Sequence, residues 1–160
     1  MRFSAAFAAK SLIQDFRNCP HIFCFTSQDI MISVLIVPDK CTADTVTFLG
    51  YQTNPYKYVS RCDLFVCASH AEGFSTAATE ALILGTPVCT VEVSGMREML
   101  GDNEYGLITE NDEESLYQGI KTLLDDPKLL AHYRAQAALR GKKFSTVETV
   151  KAVEQMLLNL

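Results

Sequence analysis

From Thr45 onward, short apolar runs alternate with longer amphipathic segments, and this alternation limits the fold more than any other feature of the sequence. The spacing predicts strands from Val46 to Leu49, Asp63 to Ala68, Val88 to Val91 and Gly106 to Thr109. Between them it predicts helices from Asn54 to Arg61, Thr76 to Leu84, Met96 to Leu100 and Asp112 to Leu124. Punctuation supports these limits: Gly85 and Pro87 end one helix, and Asp126-Pro127 opens another that runs to Gly141. In the helix from Asp112, Leu116, Ile120, Leu123 and Leu124 form one stripe, and Glu113 and Glu114 lie in the first turn, where the helix dipole favours them. Strands that alternate with helices require crossover connections and give an α/β fold with a mainly parallel sheet and flanking helices. Such sheets bind ligands at the carboxyl ends of their strands.

The ends of the chain are less patterned. Phe3 to Arg17 reads as a helix rather than a secretory leader, because Lys10 interrupts the apolar stretch. Ile22 to Thr26 and Ile30 to Val37 read as strands. Ser145 to Glu148 forms a capping box for a last helix, with Val150, Val153, Leu157 and Leu160 on one face, so the chain ends in a helical tail. The 160 residues fit one domain. With 14 Lys and Arg against 19 Asp and Glu, and no basic cluster, no nucleic-acid partner is expected, since phosphate neutralisation needs a basic stripe. No apolar run reaches the ~18–20 residues of a membrane span. The six cysteines include no CxxC pair, and Cys67 and Cys89 fall inside apolar strands, so a reducing, cytoplasmic setting is expected.

The chemistry concentrates in Ala68 to Ala81, directly after the strand from Asp63. A strand that runs into a glycine-containing turn and then a helix leaves unpaired backbone N–H groups, here around Gly73 to Thr76. Those donors and the helix dipole favour an anion such as a phosphate. Glu72 precedes the helix and Glu80 lies one turn above Thr76, so the two carboxylates can line one crevice. Taken alone, both read more commonly as solvated surface carboxylates. His70 reads as a loop residue or as an acid–base group, and Glu98 as a helix-start carboxylate.

Glu72 and Glu80, separated by seven residues, with Gly73 after the first and Ala81 after the second, resemble the E-x7-E motif of retaining GT-B glycosyltransferases of family four, also called group 1. Further blocks agree: Val46 to Gly50, Arg61 to Val66 with Ser69, Gly85-Thr86-Pro87-Val88, Gly95 with Glu98, and Tyr105 to Ile108. The resemblance covers Thr45 to Leu160 and implies a Rossmann-like, nucleotide-sugar-binding domain that is a single half of a GT-B fold, with residues 1–44 its atypical or incomplete start. It implies that Glu80 binds the ribose and Glu72 the transferred sugar as the catalytic carboxylate. Gly73, Phe74 and Ser75 then hold sugar hydroxyls and diphosphate through the backbone. Leu49, Gly50 and Tyr51, at the end of a strand, read either as the edge of the base pocket or as a plain turn. The implied substrate is a nucleotide sugar, with UDP expected, and the acceptor a saccharide or lipid-linked glycan. No metal and no other cofactor are expected.

Two departures qualify the resemblance. One domain leaves the acceptor half to another chain or to a homodimer, and a lipid-linked acceptor allows peripheral association with the inner face of the membrane. The cationic Gly-Arg and Lys-Gly pairs of the family's phosphate site have no counterpart, which leaves Lys40 and Arg97 as substitutes. A binding module without transfer activity and a remnant that binds nothing are the alternatives.

Overall fold

The structure is a computed structural model that describes residues 22–25, 34–36, 46–49, 52–68, 73–144 and Gln155. Six strands, β1 (Ile22–Phe25), β2 (Val34–Ile36), β3 (Val46–Phe48), β4 (Leu64–Cys67), β5 (Val88–Val91) and β6 (Leu107–Thr109), form one sheet in the order β3-β2-β1-β4-β5-β6. The helices are α1 (Tyr56–Val59), α2 (Thr76–Ile83), α3 (Met96–Leu100), α4 (Glu113–Asp125) and α5 (Pro127–Lys143).

β1, β4, β5 and β6 pair in parallel, with Phe25 opposite Cys67, Phe65 opposite Val88, and Cys89 opposite Leu107. β2 departs from the expected parallel arrangement, because it runs antiparallel to both β1 and β3. Chain length explains the departure. Residues 26–33 and 37–45 are all that join these strands, whereas a parallel crossover needs a dozen residues or more.

The central strands are buried on both faces, which is why they appear in the sequence as unbroken apolar runs. On one face Leu64, Val66, Cys89 and Val91 pack against Leu116, Ile120 and Leu123 of α4 and Tyr133 of α5. On the other, Phe65, Cys67 and Val88 pack against Ala78, Ala81 and Leu82 of α2 and Met96, Met99 and Leu100 of α3. Cys62, Cys67 and Cys89 are buried, and burial pushes the Cys62 thiol pKa up to about 12.

The helix ends follow the local chemistry. The Asp112 carboxylate accepts from the Ser115 N–H at 2.9 Å and its hydroxyl at 2.7 Å, and Asp126 accepts from the N–H groups of Lys128 and Leu129 at 2.9 and 3.1 Å. α2 ends at Gly85, whose φ of 72° lets its N–H reach the Leu82 carbonyl while Thr86 N–H reaches that of Ala81, both at 2.9 Å. α5 continues past Gly141 to Lys143. The helices expected over Phe3 to Arg17 and after Ser145 lie outside the described residues, except that Gln155 is helical.

Candidate functional site

The segment of interest leaves the carboxyl end of β4 beside β1, where the sheet order reverses: β2 and β3 continue to one side, β5 and β6 to the other. Open α/β sheets bind ligands in the crevice at such a point. Ser75, only 2% exposed, is the N-cap of α2, and its hydroxyl accepts from the Ala78 N–H at 3.4 Å. The Ser75 carbonyl is also engaged, by the Thr79 N–H at 3.0 Å and the Thr79 hydroxyl at 2.9 Å. Ser75 therefore directs its side chain into the fold and leaves the first-turn N–H groups of Thr76 and Ala77 without an intrahelical acceptor.

Gly95 supports this turn from behind. It adopts φ 81° as the N-cap of α3, and a Cβ there would lie 2.1 Å from the Gly73 carbonyl oxygen. Gly73 itself is exposed and has nothing within 4 Å of a Cβ position. Phe74, 45% exposed, meets Phe144 edge to face at 5.9 Å. The Arg140 guanidinium lies 5.1 Å from the ring centres of both Phe144 and Tyr105, and donates to the carbonyls of Glu98 at 2.6 Å and Met99 at 2.7 Å. α5 thus caps the carbonyl end of α3 with a cation, a favourable placement for the helix dipole.

Glu80 is partly exposed on α2, and its Oε1 accepts from the Tyr56 hydroxyl of α1 at 3.0 Å. That hydrogen bond, helped by the charge of the carboxylate, raises the Tyr56 pKa above the ordinary phenol value. Tyr56 was not legible as a site residue, since it stands 24 positions from Glu80 and no local pattern marks it. Glu98 sits in the first turn of α3, as the helix-start reading expects. Leu49 packs against the core, and its carbonyl accepts from the Gln52 amide at 2.6 Å. Glu72, Gly50, Tyr51, His70 and Lys40 lie outside the described residues.

Arg97, one of the two substitutes expected for the phosphate cations, is paired with carboxylates: its guanidinium donates to both oxygens of Glu92 and, at 2.9 Å, to Asp102. The same pairing holds the Glu92 carboxyl below its ordinary pKa. Among the described residues no three His, Cys, Asp or Glu side chains converge as metal ligands would, and no helix is long and apolar enough to cross a membrane.

The family model described as "Glycosyl transferases group 1" matches residues 39–140, more than half of the chain. The chain belongs to this family. A relative from Campylobacter jejuni, N-acetylgalactosamine-N,N'-diacetylbacillosaminyl-diphospho-undecaprenol 4-alpha-N-acetylgalactosaminyltransferase, is 43% identical over 117 residues, covering 72% of this chain and 32% of the relative. The capsular polysaccharide biosynthesis glycosyltransferase CapM of Staphylococcus aureus is 29% identical over 85 residues, covering 52% of this chain and 22% of CapM. The chain therefore spans a third or less of these relatives. Among solved structures, Anabaena HepE in complex with UDP superposes with a TM-score of 0.66 at 25% identity, over 73% of this chain and 33% of HepE. Sucrose-phosphate synthase from Thermosynechococcus elongatus gives 0.63 at 28% identity, over 73% of this chain and 30% of that one. With its sheet and flanking helices, the group 1 chain is one half of a GT-B fold.

Proposed function

We propose that this group 1 chain is the donor half of a retaining glycosyltransferase and binds a nucleotide diphosphate sugar, UDP-linked, at the carboxyl end of β4. The observation that carries the reading is the placement of Glu80 one turn above the unpaired N–H groups of Thr76 and Ala77, at the point where the sheet order reverses. A helix N-terminus favours a diphosphate, and a carboxylate just beyond it is an acceptor for two adjacent ribose hydroxyls. The solved HepE complexes with UDP and with UDP and glucose support the choice of nucleotide by likeness.

In this reading Glu80 holds the ribose, the backbone of Gly73, Phe74 and Ser75 meets the diphosphate and sugar hydroxyls, and Gly50 borders the base. Glu72 faces the transferred sugar. As the glycosidic bond breaks, positive charge grows at the anomeric carbon and negative charge on the departing diphosphate. Fixed N–H dipoles on one side and a carboxylate on the other stabilise that separation, with no metal or further cofactor needed. Residues 45–160 form the donor-binding unit, with residues 1–44 as its start. The acceptor, a saccharide or lipid-linked glycan, is positioned by a second domain. Work on such an acceptor places the protein in the cytoplasm or against the inner face of the membrane, where reduced thiols such as Cys62, Cys67 and Cys89 persist.

Calorimetric titration with UDP and UDP-glucose tests the reading. Glu80→Ala removes two charge-assisted hydrogen bonds, each worth ~1.5–3 kcal/mol, and should weaken both ligands. Glu72→Gln should weaken UDP-glucose and leave UDP nearly unchanged. Equal UDP binding by the unmodified chain and Glu80→Ala would remove the ribose assignment.

A further inference from the structure

We infer that Tyr56 is a positioning residue that fixes the Glu80 carboxylate for the ribose, so the donor site is completed by a hydroxyl from outside the strand–turn–helix that carries the rest of it. The inference rests on the ribose reading of Glu80 and deepens it.

Glu80 projects from a helix, and a glutamate with solvent on one side rotates among several conformers that must be reduced to one when a ligand binds. An ionised carboxylate only accepts hydrogen bonds, so the proton in the 3.0 Å contact comes from Tyr56. The contact occupies one lone pair of Oε1. Oε2 and the remaining lone pair of Oε1 belong to the same planar, partly exposed carboxylate and are acceptors enough for two neighbouring hydroxyls.

Tyr56 can act as a restraint because α1 is itself held. Val59, at the other end of this short helix, is buried among the core side chains of α2 and α3. Its carbonyl accepts from the buried Thr86 hydroxyl at 2.9 Å, just past the end of α2. Tyr58 adds a hydroxyl contact to Gln52 at 3.4 Å. The Tyr56 ring, 44% exposed, has no comparable place in the core, which leaves its hydroxyl contact as its structural role. The raised pKa of that phenol is what a donor facing a carboxylate should show.

Titration of the full chain with UDP and with its 2′,3′-dideoxyribose analogue separates positioning from general damage. The unmodified chain should prefer UDP. Tyr56→Phe, which keeps the ring, should weaken UDP by about three- to tenfold, the range of one net hydrogen bond, and leave the dideoxy analogue unchanged. In the Glu80→Ala background, Tyr56→Phe should have no further effect, because the group it positions is gone. If the unmodified chain binds the two ligands alike, the ribose reading fails and the positioning role falls with it. If it prefers UDP but Tyr56→Phe does not reduce the preference, only the positioning role is overturned. An equal loss for both ligands, or a loss that persists without Glu80, likewise assigns Tyr56 to another part of the site and overturns the inference.

Discussion

Gly95→Ala should dismantle the candidate site while leaving most of the fold in place. Gly95 is held at φ 81°, a region where an L side chain is strained by ~1–2 kcal/mol. The added methyl would also sit 2.1 Å from the Gly73 carbonyl oxygen, 3.0 Å from the Gly73 carbonyl carbon and 3.5 Å from the Phe74 Cα. All three are backbone atoms and cannot swing aside as a side chain would, so the turn must shift by about 1 Å to reach ordinary contact distance. Strain alone lowers the melting temperature by about 2–8 °C, at roughly 2–4 °C per kcal/mol for a chain of this size. A misplacement near 1 Å in a positioned site is worth up to ~100-fold in function, so the loss of UDP affinity should exceed what the thermal shift suggests. Gly73→Ala is the control. A Cβ at Gly73 meets nothing within 4 Å, and an exposed substitution of this kind changes stability by less than ~0.5 kcal/mol. Thermal unfolding followed by circular dichroism compares the two variants, Gly73→Ala serving as the control for stability alone, and UDP titration follows binding by Gly95→Ala. A Gly95→Ala chain that melts and binds like the unmodified one, or a Gly73→Ala chain that melts as low as Gly95→Ala, would refute the reasoning.

Gly141→Ala should destabilise the chain by ~1–3 kcal/mol, read as a lower denaturant midpoint, because its Cβ would lie 2.2 Å from the Leu82 carbonyl oxygen and force α5 off α2. The sign is diagnostic, since alanine in place of glycine within a free helix stabilises by ~1 kcal/mol. The Ser115 N–H and hydroxyl hold the Asp112 carboxyl below its ordinary pKa. Its contribution is therefore complete above the unfolded value of about 3.9 and lost as pH falls through the lower folded value. Melting temperatures measured from neutral to acid pH should show a steeper acid decline for the unmodified chain than for Asp112→Asn.

Legibility from sequence followed how local each feature is. Both faces of β4 and β5 are buried, so their limits could be read from unbroken apolar runs, and the Val88–Val91 strand and the Met96–Leu100 helix appear with the expected bounds. The cap at Asp126 depends on neighbours within three residues and was equally accessible, whereas Asp112, read as the first residue of its helix, is the cap before Glu113. The direction of β2 was less so. Its apolar composition suits either orientation, and only the short connections on both sides decide between them. In the site, the strand–turn–helix was visible because one continuous segment carries it. The Tyr56 contact to Glu80 joins two helices across 24 positions of sequence, and the pairing of Arg97 with Glu92 and Asp102, each five positions away, depends on how the turns at the two ends of α3 fold. For Arg97 the sequence offered a cation beside a glycine turn, and folding placed two carboxylates against it.

Other distant contacts determine how firmly the site is held. The Gly73–Phe74 turn rests on Gly95 at the start of α3, and the far end of α3 is closed by Arg140 of α5. α5 is in turn seated on α2 by Gly141 against Leu82, and α2 presents Glu80. Turn, α3, α5 and α2 thus form a closed ring of contacts. At Gly95 and Gly141 backbone meets backbone, where close packing leaves little slack for small adjustments. α5 contributes no group to the proposed ligand, yet it holds α2, which carries both the Thr76 and Ala77 N–H groups and Glu80, against the Gly73–Phe74 turn. One turn of α2 sets the spacing between those N–H groups and the carboxylate, whereas the packing of α5 sets where that pair stands relative to the turn.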